Sequence, residues 1–149
     1  RLATPVIYND EFVKENNIKF EIGKAIQIGD GTDASIIATG VTVSEALKAQ
    51  EVLKEKGINV RVIDVHTIKP LDKEMIIKCA KETKRIITIE DHSIIGGLGT
   101  AVCEVLSENF PAKVTRIGIN NTFGESGKAE ELLKKYNLNS EYLVKILSK

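Results

Sequence analysis

Short apolar runs rich in Ile and Val alternate along the chain with segments in which apolar residues recur every three or four positions. The first pattern predicts buried strands, and the second predicts amphipathic helices. An N-terminal segment with few helical signals, residues 1–18, precedes this alternation. The predicted strands are residues 23–28, 35–39, 59–64, 85–90 and 113–118, and the predicted helices are residues 43–56, 72–83, 98–109, 128–136 and 140–148.

Capping and turn residues mark the ends of several predicted helices. Thr42 and Glu45 have the spacing of a capping box, and Gly57 follows the last residue of the same helix. Asp72 comes shortly after Pro70 and is placed to cap the next helix. These signals support the alternation of strands and helices that the apolar pattern predicts.

The lengths of the connections predict the topology. Strands joined through a helix normally run parallel, because the crossover returns the chain to the same end of the sheet. Only residues 29–34 separate the first two strands, which is a hairpin length and too short for a crossover. The sequence therefore predicts a three-layer α/β/α sandwich around a mixed five-stranded sheet, with four parallel strands and one antiparallel edge strand.

Size and charge narrow the class of protein. The 149 residues suit one domain, and 21 basic side chains balance 21 acidic ones, which argues against a nucleic-acid surface. No apolar run reaches the roughly 18 residues of a membrane-spanning helix, and no signal peptide opens the chain, so we expect a cytoplasmic protein without a membrane partner. The chain begins with Arg1 and not Met, which indicates a processed chain or a piece of a longer protein.

Several polar and sulfur side chains have structural explanations at the sequence level. Cys79 and Cys103 lie in apolar helical patterns, which predicts two buried thiols and no disulfide or metal pair. His66 follows the third strand without a companion ligand cluster, so no metal site is predicted. We interpret Arg61 as a strand-end charge and Asp64 as a turn residue.

The tripeptide Gly29-Asp30-Gly31 is half of a signature for thiamine diphosphate with magnesium. Asp and Gly are also the residues that a tight chain reversal requires. The paired Asn that completes the signature downstream is missing, since the corresponding window, residues 54–59, holds Asn59 alone. The sequence therefore predicts a turn at this tripeptide and no cofactor site.

The segment from Glu90 to Gly99 is the strongest candidate for a functional loop. It leaves an apolar strand and enters a helix, which places it at the carboxyl edge of the sheet, where open α/β folds bind ligands. Its glycines could present N–H groups to an anion, and close packing or a protein contact is the alternative. No nucleophile is evidently paired with its histidine, so we assign no catalytic residue. The candidates for an interface or anion loop are His92, Ser93, Gly96, Gly97 and Gly99.

Four stretches carry a family resemblance: "KFEIGKA", "GTDASIIATGVTVSEALKAQEVLKEKGINVRVIDVHTIKPLD", "IEDHSIIGGLGTAV" and "FGESGKAEELLKKYNL". Together they resemble the C-terminal domain of transketolase, particularly the form encoded as two sections. The resemblance covers residues 19–149 and leaves residues 1–18 as a linker or the tail of a preceding pyrimidine-binding domain. It implies an enzyme of the pentose phosphate pathway that uses thiamine diphosphate and Mg²⁺ to move a two-carbon ketol unit between sugar phosphates.

In that family the cofactor and the catalytic groups lie on two other domains, so the resemblance implies no cofactor, metal or catalytic residue on this chain and no activity of the chain alone. Arg1 and Pro5 match an Arg-x-x-x-Pro setting whose arginine contacts the sugar phosphate in relatives, and a fortuitous linker arginine is the alternative. The implied partners are the preceding domains or an N-terminal subunit, and a second copy in a homodimer. The parent could also be a 1-deoxyxylulose-5-phosphate synthase or a 2-oxo-acid dehydrogenase beta subunit, and a freestanding anion-binding regulatory module is a further alternative.

Overall fold

A mixed five-stranded sheet forms the centre of the computed structural model, which describes residues 6–149. The strand order is β1-β3-β2-β4-β5, with β1 antiparallel to β3 and every other pair parallel. This confirms the predicted fold class. The elements in chain order are α1 (Asp10–Glu15), β1 (Ile26–Ile28), β2 (Ala34–Ala38), α2 (Thr42–Glu55), β3 (Val60–Asp64), α3 (Lys73–Glu82), β4 (Ile86–Ser93), α4 (Leu98–Asn109), β5 (Val114–Ile119), α5 (Ala129–Lys135) and α6 (Ser140–Leu147).

Helices cover both faces of the sheet and enclose two apolar clusters. Alternation along the strands divides the buried side chains, so that Ile36 and Ala38 belong to the cluster under α2 and α6. The intervening Ile37 belongs to the other cluster, under α3 and α4. The three layers are therefore helices, sheet and helices, as the apolar pattern predicts.

The antiparallel strand β1 lies at an edge, as expected, but its neighbour is β3 and not β2. Ile26 pairs with Asp64, and Ile28 pairs with Val62. Both sides of β2 are already occupied by parallel partners, β3 and β4, so the free side of β3 is the one that remains for β1. The connection after β1 thus has the length of a hairpin without forming one.

The capping prediction is confirmed for α3. The side chain of Asp72 accepts a hydrogen bond from Met75 N at 3.1 Å, and its second oxygen accepts one from Ala25 N at 2.9 Å. The same carboxylate therefore caps the helix and fixes the segment that leads into β1.

The capping box predicted at Thr42 and Glu45 is wrong. Val41 occupies the N-cap position of α2, and its side chain has no oxygen with which to cap. Thr42 is already helical and donates its hydroxyl to Thr39 O and Ile89 O. Glu45 accepts from Ser140 N at 2.9 Å, so its carboxylate ties α2 to the start of α6.

Two sequence interpretations of buried side chains need correction. Arg61 is not a strand-end charge, because it lies within β3, is 3% exposed, and donates to Gly31 O at 2.7 Å and to Glu82 Oε2 at 2.6 Å. The guanidinium is buried and has almost no contact with water. It therefore needs these hydrogen-bond partners. Both thiols are free; Cys79 is buried as predicted, whereas Cys103 is only partly buried because it lies beside the core-facing stripe of α4.

The N-terminal strap, residues 6–22, is more ordered than its sequence suggests. It contains the short helix α1, whose N-cap Asn9 accepts a hydrogen bond from Phe12 N at 2.7 Å. Ile18 is buried, and Phe12 packs against the same apolar cluster as α2 and α6. A helix of this length is too short to show a periodic apolar pattern, which is why it was not predicted.

Candidate functional site

The carboxyl ends of the four parallel strands meet at one edge of the sheet, where open α/β folds bind ligands. Two clefts open there. A cleft of about 490 Å³ lies beside the ends of β4 and β5, and one of about 460 Å³ lies beside the ends of β2 and β3. The predicted loop from Glu90 to Gly99 borders the first of them.

Glu90 organises this loop from beneath. The side chain is 1% exposed, and its two carboxylate oxygens accept hydrogen bonds from Leu98 N at 2.6 Å and Gly99 N at 2.8 Å. These amides belong to the first turn of α4, where N–H groups have no partner within the helix. A negative charge at this position is further stabilised by the helix dipole.

The glycines of the loop allow the chain to pack closely around that carboxylate. A Cβ at Gly97 would overlap Glu90 Oε2 and would lie 2.8 Å from His92 Nδ1. A Cβ at Gly99 would lie 2.8 Å from Thr88 Oγ1 and 2.9 Å from the side chain of Arg116. Of the alternatives that the sequence leaves open for these glycines, the structure shows close packing at Gly97 and Gly99.

These contacts bear on the anion alternative for this loop, which stays a prediction. The carboxylate of Glu90 lies where an anion at the N-terminus of α4 would bind. Gly96 N donates to Thr100 Oγ1, and Ile95 N donates to Ser93 Oγ, so further amides of the loop have partners within the chain. The alternative that this loop forms a protein interface also stays a prediction.

His92 lies on the outer side of the loop and is exposed. Its Nδ1 lies 2.8 Å from Ser93 O and 3.9 Å from Glu90 Oε2. With Ser93 it borders the cleft next to α5, whose other wall is apolar. That wall consists mainly of Val41, Ile119, Leu132, Leu133 and Leu138.

The second cleft, here called the strap cleft, lies between the N-terminal strap and the ends of β2 and β3. Tyr8 donates its hydroxyl to Asp64 Oδ2 at 2.8 Å and stacks on Phe12 with ring centroids 5.4 Å apart. Phe20 meets the ring of His66 edge-on at 5.3 Å. Sequence reasoning missed this cleft, because the strap gave no periodic signal and Asp64 was interpreted as a turn residue.

Burial is the largest influence on the pKa values of Asp64 and Tyr8. Desolvation raises the pKa of the Asp64 carboxyl, and the Tyr8 hydrogen bond and the nearby His66 only partly oppose it. The pKa of Tyr8 is also raised, first by burial and then by the charge of Asp64. His66 Nδ1 is 2.9 Å from Thr67 Oγ1, and its Nε2 is buried without a hydrogen-bond partner among residues 6–149.

The residues from Gly29 to Gly31 do not fit a diphosphate site. They lie at the amino end of β2, opposite the edge where the two clefts open. Gly29 has φ +76°, and a Cβ at Gly31 would meet the backbone of Asn59 and Val60, so no space remains there for a ligand. Asp30 is exposed and accepts from Gln27 Nε2 at 2.9 Å, which is the behaviour of a turn residue.

The sequence also predicts no metal site and no membrane-spanning helix, and it offers Arg1 as a phosphate contact. Within residues 6–149, no group of three His, Cys, Asp or Glu side chains is placed to hold a metal ion. In the same part of the chain, every helix is too short or too polar to cross a membrane. Arg1 lies outside the described residues, so its role as a phosphate contact stays a prediction.

Comparison with known proteins gives a consistent family. The sequence model of the transketolase C-terminal domain matches residues 23–143. A Methanocaldococcus jannaschii protein with the provisional name transketolase C-terminal section is 51% identical over 146 residues, which are 97% of this chain and 44% of that protein. One of the subunits of the apulose-4-phosphate transketolase of Phocaeicola vulgatus is 47% identical over 97% of this chain and 45% of that protein.

A solved structure supports the same assignment. It is described as a split-gene transketolase, "inactive beta4 tetramer", and it matches with a TM-score of 0.85 and 38% identity over 97% of this chain and 46% of that one. The chain thus spans less than half the length of these relatives. By its fold and its sequence, the chain belongs to the transketolase family as its C-terminal domain.

Proposed function

We propose that this domain belongs to a thiamine diphosphate-dependent transketolase that moves a two-carbon ketol unit between sugar phosphates. Its own role is structural: it packs against the preceding domains or subunit and supports a homodimer. The parent's thiamine diphosphate and Mg²⁺ are bound by domains outside this chain. The crowded turn at Gly31 supports that division.

Exposed apolar side chains on the N-terminal strap carry the proposal. Phe20 is 62% exposed and Ile22 is 83% exposed, and Val6 is similarly open to solvent. Ile68, beyond the end of β3, adds a further exposed apolar side chain. Apolar surface of this kind marks a protein contact. The preceding domain of the parent enzyme is the proposed partner for this surface.

The loop from His92 to Gly99 is proposed as the second contact, toward the other copy of the homodimer. Ile95 at its tip is exposed, whereas the backbone around it is held by hydrogen bonds to Ser93 and Thr100. A rigid loop with an exposed apolar tip loses little conformational entropy when it is buried at an interface.

Assays of the chain alone and of the chain joined with its remaining domains test whether this domain is structural and the other domains bind the cofactor. The chain alone is expected to show no ketol transfer between sugar phosphates in the presence of thiamine diphosphate and Mg²⁺, because the proposed cofactor site lies on the preceding domains. Activity is expected to appear when the preceding domains are supplied. Micromolar binding of thiamine diphosphate or a sugar phosphate to the chain alone, measured by calorimetry, would contradict the structural role.

Replacement of His92 by Ala in the complete enzyme tests the interface. We expect the dimer dissociation constant, measured by analytical ultracentrifugation, to rise about tenfold, which corresponds to about 1.4 kcal/mol and would place His92 among the minority of interface residues whose truncation costs more than about 1 kcal/mol. Lys113→Ala serves as the matched control, because Lys113 is exposed and lies at the amino end of β5, opposite the edge that carries the loop. Dissociation and activity that both stay unchanged in His92→Ala would remove this loop from the interface.

A further inference from the structure

The strap cleft has properties that domain packing does not explain. Its volume of about 460 Å³ falls within the roughly 300 to 1,000 Å³ of small-molecule pockets. It lies at the carboxyl edge, and its walls combine apolar and aromatic side chains with a few polar groups. The lining includes Ile7, Tyr8, Phe20, Thr39, Asp64 and His66.

The carboxylate of Asp64 determines the charge that this cleft favours. Asp64 is 3% exposed, and among residues 6–149 its partner is the hydroxyl of Tyr8, with no ion pair to a Lys, Arg or His side chain. A buried carboxylate whose hydrogen-bond partner is a neutral hydroxyl is costly, so a positive ligand gains more here than a neutral one. An anionic ligand would meet the same carboxylate and be repelled.

Hydrogen-bonding groups and aromatic rings in the cleft agree with that preference. In the tautomer whose Nδ1–H donates to Thr67 Oγ1, His66 has a buried Nε2 that accepts hydrogen bonds and lacks a donor. The rings of Tyr8 and Phe20, whose centroids are 6.3 Å apart, line the same cleft. Aromatic faces attract organic cations, and the neighbouring apolar side chains suit the carbon skeleton of such a ligand.

We propose that the strap cleft binds a small organic cation, a primary ammonium on a short apolar stem. The ammonium donates to Oδ1 of Asp64 and to Nε2 of His66, and the stem lies against Tyr8 and Phe20. Because the cleft lies between the strap and the sheet, the ligand holds the two together from the side on which the preceding domain docks.

An isosteric series of probes tests the charge preference on this chain. The probes are n-butylammonium, 1-butanol and butyrate, and the readout is the NMR resonances of the His66 and Tyr8 rings. We expect saturable shifts with n-butylammonium at a Kd at least tenfold lower than that for 1-butanol, and no saturation with butyrate. Equal responses to the cation and the alcohol, or no response to the cation, would overturn the proposal.

Substitutions locate the site. Asp64→Asn keeps the shape of the side chain and removes its charge, and it is expected to weaken n-butylammonium binding at least tenfold without changing the binding of 1-butanol. Asp30→Asn makes the same chemical change on an exposed turn and is expected to leave binding unchanged. Phe20→Ala, at an exposed position that tolerates truncation, is expected to weaken binding several-fold. Unchanged affinity in both cleft variants would show that the cation binds elsewhere.

Discussion

Replacement of Glu90 by Ala is expected to lower the free energy of unfolding by about 3 to 5 kcal/mol, because two buried amides lose their charged acceptor at once and each costs about 1 to 3 kcal/mol when unpaired. The amides are those of Leu98 and Gly99 in the first turn of α4. The substitution also leaves a cavity beneath the loop, which adds to the loss. Urea denaturation followed by circular dichroism measures the difference.

Two further variants separate the loss of the cap from other effects. Glu90→Gln keeps one acceptor and turns an amide group toward the second N–H, so an intermediate loss is expected. Glu104→Ala, on the exposed face of the same helix, is expected to change stability by less than about 0.5 kcal/mol. A loss below about 1 kcal/mol in Glu90→Ala would mean that water replaces the carboxylate as acceptor.

Replacement of Gly31 by Ala is expected to cost about 3 kcal/mol, at the upper end of the 1 to 3 kcal/mol typical of overpacking, because the added Cβ meets rigid backbone. That Cβ would overlap the carbonyl of Asn59 and lie 2.5 Å from the carbonyl carbon of Val60. Any shift of the turn also strains the hydrogen bond from Arg61 Nε to Gly31 O. Thermal and urea unfolding of the purified variant provide the measurement.

Two exposed positions, Gly124 and Asp30, serve as controls for Gly31→Ala. Gly124→Ala introduces a Cβ with no atom within 4 Å and should be nearly neutral. Asp30→Asn should change stability by less than about 0.5 kcal/mol, since the side chain is exposed and an amide can still accept from Gln27. Asp30→Asn should also leave cofactor affinity of the complete enzyme unchanged. A large loss of thiamine diphosphate affinity would mean that this turn contributes to the cofactor site after all.

The sequence was sufficient for the fold class, for the five strands and for the described helices other than α1, because Ile and Val runs and helical apolar stripes are local signals. The helix 98–109 was predicted with the bounds that the structure shows. The order of strands was harder to predict, since the place of β1 depends on which side of β3 stays free after β2 has found its partners. That information is spread over the whole sheet and is not contained in the connection after β1.

The location of the Gly-rich loop was predicted, whereas the carboxylate beneath it was not. The Gly-rich loop lies at the carboxyl edge as expected, yet the group at the N-terminus of α4 is the chain's own Glu90. An acidic residue that directly follows an apolar run and precedes a glycine-rich loop is the signal that could have indicated this. The contact between Tyr8 and Asp64 had no comparable signal, because the two residues are far apart in sequence and the strap lacks periodicity.

The position of β1 also protects the sheet against unwanted strand addition. Beyond β3 the sheet continues for only the three residues of β1, so a second chain finds little backbone there with which to pair. At the opposite edge, β5 exposes Arg116, and the register shift between Ile89 and Ser93 interrupts its ladder with β4. Aggregation through the sheet edges is therefore disfavoured even when the rest of the enzyme is absent, and the apolar strap is the surface by which separate copies would first adhere.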